Sequence, residues 1–390
     1  MITTNLSPLG ITWGIAIDGV PFNKQTVQRI LTSFVENQHD YMVVELVGIP
    51  SSYVSNYVDK PIVVYVRING GKSYNFYGYV TQIEGTSSTN EGTVNNSPFQ
   101  IIKLICLGSS HLLRSNNTLV WENVTLENIV SDIANDFRLG YSMPVDNYVF
   151  KRLVQSEESL WKLLVKACDQ LGYSITLTNS HIHIWDKNKA LARQPSYTIL
   201  RGIKVKKENY RPLPGDIINL ESTLGTADVR QQSGNKTISY IDEQNVFVTV
   251  DSSQLSETSG FGNPTKSRFY NKLSASVDSF EKATRYLESK IKNSYPYTAD
   301  ALVYGDPSIV PGGVVKVDGY GGDFDGYWYV CAVTHTLSTD VLTSCLTLDK
   351  DGTYDTLPKF PVVKRYQQAP LPTLIKNKWV MKSEYVNVYN

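Results

Sequence analysis

Val63-Val64-Tyr65-Val66 is followed by Gly70-Gly71 and then by Phe76-Tyr77-Gly78-Tyr79-Val80. Far downstream, Val314-Val315-Lys316-Val317 is followed by Gly321-Gly322 and then by Phe324-Asp325-Gly326-Tyr327-Trp328-Tyr329-Val330. A single-residue gap aligns the two stretches. Each spells strand, glycine turn, aromatic strand, because β-branched and aromatic side chains fit a pleated surface and glycine supplies a tight turn. A loop then leads to one more strand, Phe99–Leu107 in the first copy and Leu342–Leu348 in the second. Such self-similarity predicts a duplicated unit: two related β-barrels, one near each end of the chain.

Working outward, the first hundred residues read as strands at Thr12–Ile17, Tyr41–Val47, Pro61–Ile68, Tyr74–Ile83 and Phe99–Leu107. Val27–Val35 fits strand or helix, and its β-branched content favours strand. Asp18-Gly19, Asn69-Gly70-Gly71 and the polar stretch Gly85–Asn96 mark turns. Val63–Val66 and Ile101–Leu107 are nearly continuous apolar runs, which predicts cover on both faces. Near Ser115 the period changes. Thr125 is an N-cap for Leu126, Ile129, Val130, Ile133 and Phe137, with Gly140 as the left-handed terminator. Ser156 caps a second helix whose stripe is Leu160, Leu163, Leu164, Ala167 and Leu171, closed by Gly172. A hairpin follows, Tyr173–Thr178 and His181–Trp185 around Asn179-Ser180. From Ile199 strands return, with polar loops at Gly225–Lys236 and Asp251–Lys266. One helix, capped by Ser279, carries Phe280, Ala283, Leu287 and Ile291 with a Glu281–Arg285 pair. Pro361, Pro370 and Pro372 punctuate a tail that makes no core alone.

The expected fold class is therefore mainly β with an α+β insert. Residues 1–115 form a first tube-like β-barrel and 116–198 a small α/β domain of two helices and a hairpin. Residues 199–355 form a second β-barrel with a helix and long loops, and 356–390 an extended C-terminal arm.

Composition agrees. The chain has 390 residues, too many for one ordinary core. With 41% apolar and 19% charged residues it is not a disordered chain. Lys and Arg (37) balance Asp and Glu (37), which argues against gripping nucleic acid through a basic surface. Tyrosine is abundant at 25, against 12 Phe and 6 Trp, and suits strands and wet interfaces. The N-terminus lacks a signal peptide and no apolar run spans a membrane, so folding in a cytoplasm is expected. Cys106, Cys168, Cys331 and Cys345 show no C-x-x-C spacing and read as small buried hydrophobes, although Cys331 and Cys345 lie on adjacent strands and could face one another.

No catalytic residue, cofactor or metal site emerges. G-x-S-x-G, Walker and H-E-x-x-H motifs are absent. Gly319–Gly326 is a hairpin turn, and Asp318, Asp323 and Asp325 do not have EF-hand spacing. His181 and His183 share a strand face with Trp185, read as solvated. Arg201–Lys207 alternates basic and apolar residues, read as one solvated strand face, with a surface that meets an acidic partner or passing DNA as the alternative.

The segment Phe150-Lys151-Arg152-Leu153-Val154-Gln155-Ser156-Glu157-Glu158-Ser159-Leu160-Trp161-Lys162-Leu163-Leu164, then Leu171-Gly172-Tyr173 and a hairpin, resembles a signature of bacteriophage tail (baseplate) hub proteins of the late-control-D family. It is similar to the hub part of type VI secretion spike proteins. Gln155, Glu158, Ser159, Trp161, Leu164, Gly172 and Tyr173 match; Leu160 departs, an Asp being usual there. Gly305, Pro311-Gly312, Val315–Val317, Phe324–Val330 with Gly326 and Trp328, and His335 resemble the second barrel of such hubs. The resemblance spans roughly 1–355.

It implies a virion structural protein of the tail tip, assembled in the bacterial host cytoplasm and not an enzyme. Three subunits would present six quasi-equivalent barrels, a symmetry adaptor between the sixfold tail tube and a threefold spike or fibre. Implied partners are two further copies as a homotrimer, a tail tube or distal tail protein, a central spike or fibre, the tape-measure protein, and DNA passing during ejection. The arm Pro361–Asn390 is expected to contact a neighbouring tail protein. A carbohydrate- or receptor-binding tail-tip protein and a wall-degrading tail enzyme are the alternatives. The latter suffers because only about 35 residues follow the second barrel.

Overall fold

The computed structural model describes residues 10–49, 54–68, 73–88, 99–116, 118–190, 198–202, 213–224, 235–242, 244–251, 270–272, 277, 279–292, 295, 297–320, 324–338, 341–350, 364–366, 369–375 and 378–384. The polar loops at 225–234 and 252–269 and most of the basic stretch, 203–207, lie outside them.

The first lobe consists of β1 (Thr12–Ile17), β2 (Val20–Pro21), β3 (Val27–Val35), β4 (Tyr41–Val47), β5 (Pro61–Arg67), β6 (Ser73–Ser88) and β7 (Phe99–Gly108). Asp18 and Gly19 both take positive φ, 51° and 76°, the primed-turn geometry that matches strand twist and joins β1 to β2. β4 alternates cleanly, with Met42, Val44 and Leu46 buried. In β5, Ile62, Val63 and Val64 are all buried, as a strand covered on both faces should be. β7 departs from that expectation: Ile102, Leu104 and Cys106 are buried, while Ile101, Ile105 and Leu107 are half-buried on a face left partly open.

The central unit contains β8 (Leu119–Thr125), α1 (Leu126–Phe137), β9 (Gly140–Pro144), β10 (Val149–Gln155), α2 (Leu160–Gln170), β11 (Tyr173–Thr178), β12 (His181–Asp186) and the short α3 (Lys187–Ala190). Its core packs Ile129, Val130 and Ile133 of α1 against Leu160, Leu164 and Ala167 of α2 and against Ile175, Ile182 and Ile184 of the hairpin. Asn179 and Ser180 at φ 52° and 63° close that hairpin.

Two caps differ from expectation. α2 is capped by Ser159, whose Oγ accepts from Lys162 N at 3.2 Å, not by Ser156. Glu157 at φ 54° breaks any helix started earlier. α1 turns left-handed at Arg138, φ 55°, and Gly140 instead opens β9. Thr125 caps α1 as expected, its Oγ1 accepting from Asn128 N.

The second lobe contains β13 (Thr198–Arg201), β14 (Ile217–Leu224), β15 (Asn235–Ile241), β16 (Phe247–Asp251), β17 (Tyr270–Lys272), α4 (Phe280–Lys292), β18 (Tyr297–Tyr304), β19 (Val314–Asp318), β20 (Gly326–Ser338) and β21 (Val341–Lys350). Strands β15–β17 form a separate sheet that packs Ile238, Tyr240 and Val250 on Ala283, Tyr286 and Leu287 of α4. The tail supplies β22 (Lys364–Tyr366), β23 (Ala369–Ile375) and β24 (Lys378–Glu384). β22 pairs antiparallel with β9, so the tail adds a strand to the central unit of its own chain.

The lobes repeat one another in detail. Neighbour order is β3-β4-β7-β6-β5-β1 in the first and β14-β18-β21-β20-β19-β13 in the second. Both carry the same two bulges. One lies between Val80 and Gln82 opposite Cys106–Ile105, and its counterpart between Val330 and Ala332 opposite Leu348–Thr347. The other lies between Val27 and Arg29 opposite Leu46–Glu45, and between Ile217 and Asn219 opposite Val303–Leu302. Bulges interrupt a ladder at one defined residue, so two coincident pairs fix the equivalence residue by residue. Tyr79 then matches Tyr329, and Val314 matches Pro61 rather than Val63. That shift of two residues preserves which side chains face inward. One ladder differs: β1–β5 is antiparallel and β13–β19 parallel.

The described pairings run from β14 to β2 through β20 and β3, with β19 and β13 branching from β20 and an Arg201–Asp216 bridge bringing β13 beside the start of β14. Both lobes consequently share a sheet and a single hydrophobic core.

Candidate functional site

The join between the lobes is the long strand β20. Its first half pairs with β19. After the Val330/Ala332 bulge its second half pairs with β3, from Ala332↔Val35 to Ser338↔Arg29. On the core side of this seam, Phe34 meets His335, Tyr74 and Phe76. The His335 ring stacks on Tyr74 at 4.7 Å and its Nδ1 lies 2.7 Å from Ser344 Oγ. Burial pushes that imidazole down to about 4, so it is neutral near pH 7. On the other side, Ser33 Oγ and Thr334 Oγ1 are 3.0 Å apart.

That uncovered face continues across both lobes with hydroxyls and paired charges. Glu45 binds Arg29 at 2.7 Å and approaches Lys103 at 3.8 Å. Asp300 accepts a hydrogen bond from Thr347.

A buried polar knot fastens the central unit to both lobes. Lys187 of α3 reaches Glu36, just after β3, at 3.2 Å and Asp349 of β21 at 2.9 Å. Its ammonium lies over the rings of Tyr329 and Tyr295. Tyr329 donates to Glu36 Oε2 at 2.6 Å and accepts from Trp185 Nε1 at 2.8 Å. Burial opposes the Lys187 charge, but Glu36 and Asp349 outweigh it and hold the ammonium above its usual pKa. A second clamp joins α4 to the central unit. Arg285 binds Asp146 through both terminal nitrogens and also meets the Tyr173 hydroxyl. Tyr173 donates to Asp146 at 2.7 Å.

The residues singled out by sequence occupy two separate places. Gln155 is buried and donates to the carbonyls of Ser115 (3.0 Å) and Glu158 (2.7 Å), holding the turn before α2. Glu158 pairs with Lys166. Ser159 is the cap, and buried Trp161 lies 5.5 Å from the His39 ring at the first lobe. Gly172 has φ 78°, and a Cβ there would stand 2.5 Å from Ser289 Cβ of α4. Gly326 (φ 119°) opens β20, and buried Trp328 donates to the Phe324 carbonyl. All make contacts within the chain.

The histidine face is not solvated as expected. His181 is buried, its imidazole pushed down to about 4 by desolvation, and Trp185 is buried in the knot. Strand β12 lies between β11 and β9, and burial of His181 and Trp185 on one face and of Ile182 and Ile184 on the other shows that both faces are covered. The cysteines are free; Cys331 is half-buried and donates to Asp349, and Cys345 is exposed. Sequence reasoning missed the Lys187 knot, because its members come from segments more than a hundred residues apart. Helical spacing pairs Arg285 with Glu281, whereas in the structure it reaches Asp146. Among the described residues no cluster of metal-ligating side chains occurs, and no helix is long and apolar enough to cross a membrane.

No family model matches the chain, and no curated protein matches its sequence. Solved structures do. A 43 kDa tail protein of prophage MuSo2 from Shewanella oneidensis superposes with TM-score 0.60 at 13% identity, covering 88% of this chain and 99% of that one. A tail protein from Neisseria meningitidis MC58 gives 0.60 at 13%, covering 89% and 98%. The E. coli c3393 protein, a component of the type VI secretion system, gives 0.52 at 11%, covering 89% and 78%. The duplicated, mostly β architecture of this chain is thus the fold of phage tail proteins and of a type VI secretion component.

Proposed function

We propose that the chain is a structural subunit of a phage tail hub. It builds a ring around a channel, between a sixfold tail tube and a threefold spike or fibre. The observation that carries this reading is the duplicated lobe, repeated down to its bulges, in a fold shared with tail proteins. A chain with two equivalent lobes turns three copies into six equivalent positions, which is what a joint between sixfold and threefold symmetry requires. The role is geometric rather than enzymatic. Each lobe serves as a tube-like barrel segment, and the uncovered face of the shared sheet forms the channel wall. Its hydroxyls and mixed charges, with Glu45 between Arg29 and Lys103 and Asp300 beside Thr347, offer passing DNA alternating rather than uniformly positive charge. Location in the virion and contacts with tube, spike and tape-measure proteins belong to the same proposal.

Native mass spectrometry and negative-stain microscopy of the purified chain test it. A trimer with a central hole and six peripheral densities is expected. A monomer at every concentration, alone and with the neighbouring tail proteins of its phage, would overturn it.

A further inference from the structure

Within one chain, the second half of β20 is covered by β3. The equivalence fixed by the bulges gives both strands a counterpart. Val80 corresponds to Val330, so the second half of β6, Gln82–Ser88, corresponds to Ala332–Ser338. Val27 corresponds to Ile217, so Arg29–Phe34 of β3 corresponds to Asn219–Leu224 of β14. Among the described residues, neither counterpart has a strand along its second side. β6 pairs with β5 only through Tyr79, and beyond that its outer side carries no strand partner among the described residues. β14 pairs with β18 on one side, and on the other the described residues supply only the Arg201–Asp216 bridge just before the strand.

We propose that the outer edge of β6 in one copy pairs antiparallel with β14 of a second copy, repeating between chains the seam that β20 and β3 make within one. The occupant is a second copy because, by the bulge register, these two segments hold the strand positions of the two sides of the internal seam. An unpaired edge presents a row of N–H and C=O groups that water satisfies at no gain in order, and a matching edge satisfies them in register. The contact is head-to-tail, so each added copy leaves the same two edges free until a ring closes. The internal seam sets the register. Thr334↔Ser33 becomes Glu84↔Thr223, and Leu337↔Ile30 becomes Ser87↔Leu220. The seam is not copied side chain for side chain: the position of buried His335 is taken by Gly85, which is exposed. The chain-to-chain seam therefore forms later and opens more easily than the internal one. This inference rests on the hub reading for the number of copies, not for the choice of edges.

Paired cysteines test it, since a disulfide demands Cα atoms within about 7 Å. In the full chain with Cys345→Ser, Glu84→Cys together with Thr223→Cys should give covalent dimers and trimers on mild oxidation. Glu84→Cys with Ser222→Cys is the control, because a one-residue slip moves the side chain to the other face; it should cross-link about tenfold less. Ser33→Cys with Thr334→Cys should close within one chain and confirms the oxidation. A trimer by mass that gives no cross-link, or equal cross-linking in the slipped control, overturns the inference and leaves the hub reading standing. A chain that neither assembles nor cross-links with its tail partners present overturns both.

Discussion

The two lobes are built alike and end differently. Both carry the strand order and bulges of one template, yet β20 has its outer edge filled by β3 while the equivalent edge of β6 has no strand partner among the described residues. They also diverge at the far side, where β1 runs antiparallel to β5 and β13 parallel to β19. A parallel neighbour needs a long crossover, and β14 to β18 with α4 lie in the connection between β13 and β19. The duplication thus supplies two equivalent positions, and the connection decides which edges remain available to another copy.

If the lobes share one core, damage at the seam should be felt in both. Phe34→Ala removes a buried ring that touches His335 of the second lobe and Tyr74 and Phe76 of the first. A loss of about 3–5 kcal/mol is expected, as one cooperative transition in urea. Separate transitions, one unshifted, would break the comparison by making the lobes independent.

The knot asks which lobe holds the central unit harder. Lys187→Met leaves two carboxylates without their cation and should cost about 3 kcal/mol. Glu36 keeps the Tyr329 hydroxyl as donor, whereas Asp349 keeps the weaker Cys331 thiol. Asp349→Asn should therefore restore more of the loss than Glu36→Gln in double-variant unfolding. The reverse ranking would make the first lobe the stronger anchor.

The smallest effect separates the lobes by pH. Asp40 in the first lobe is buried, and desolvation pushes its carboxyl up to about 8, the Thr178 hydroxyl offsetting only part. Between about 4 and 8 the native state keeps a proton that the unfolded chain releases, so stability falls as pH rises through that window. His335 in the second lobe has the opposite sign. Its folded value near 4 lies below the ordinary 6.5, so the unfolded chain binds the extra proton and stability falls as pH drops from 6.5 to 4. His181 adds to the same acid limb. Asp40→Asn should stabilise the protein more at pH 8 than at pH 5, and His335→Gln should flatten the acid limb without abolishing it. Urea midpoints that track the wild type in parallel at every pH would refute both assignments.

What could be read from residues alone was local. Asp18-Gly19 and Asn179-Ser180 specify their turns because their left-handed backbone suits these residue types, and the strands beside them appear where the period is two. Thr125 and Ser279 act as caps for the same local reason. The duplication was legible because the glycine-aromatic pattern recurs, although its offset in the first strand of each stretch was read two residues out. Of the site residues, Gly172 is legible from helix-end chemistry, whereas Gln155 and Ser159 are carried by the family resemblance and the local reading puts the cap at Ser156. Ser159 rather than Ser156 became the cap only because the backbone at Glu157 excludes an earlier start.

Tertiary structure alone decided the rest. Pairing of β20 with β3 joins residues some three hundred positions apart, and nothing in either strand's periodicity names its partner. The same holds for Lys187 with Glu36 and Asp349, and for the burial of His181, where alternation in the sequence suggested a face open to water. Local sequence sets φ, ψ and which side of a strand is apolar. Which edge meets which, and therefore where a second copy can attach, is settled when the folded lobes use up some edges and leave others bare.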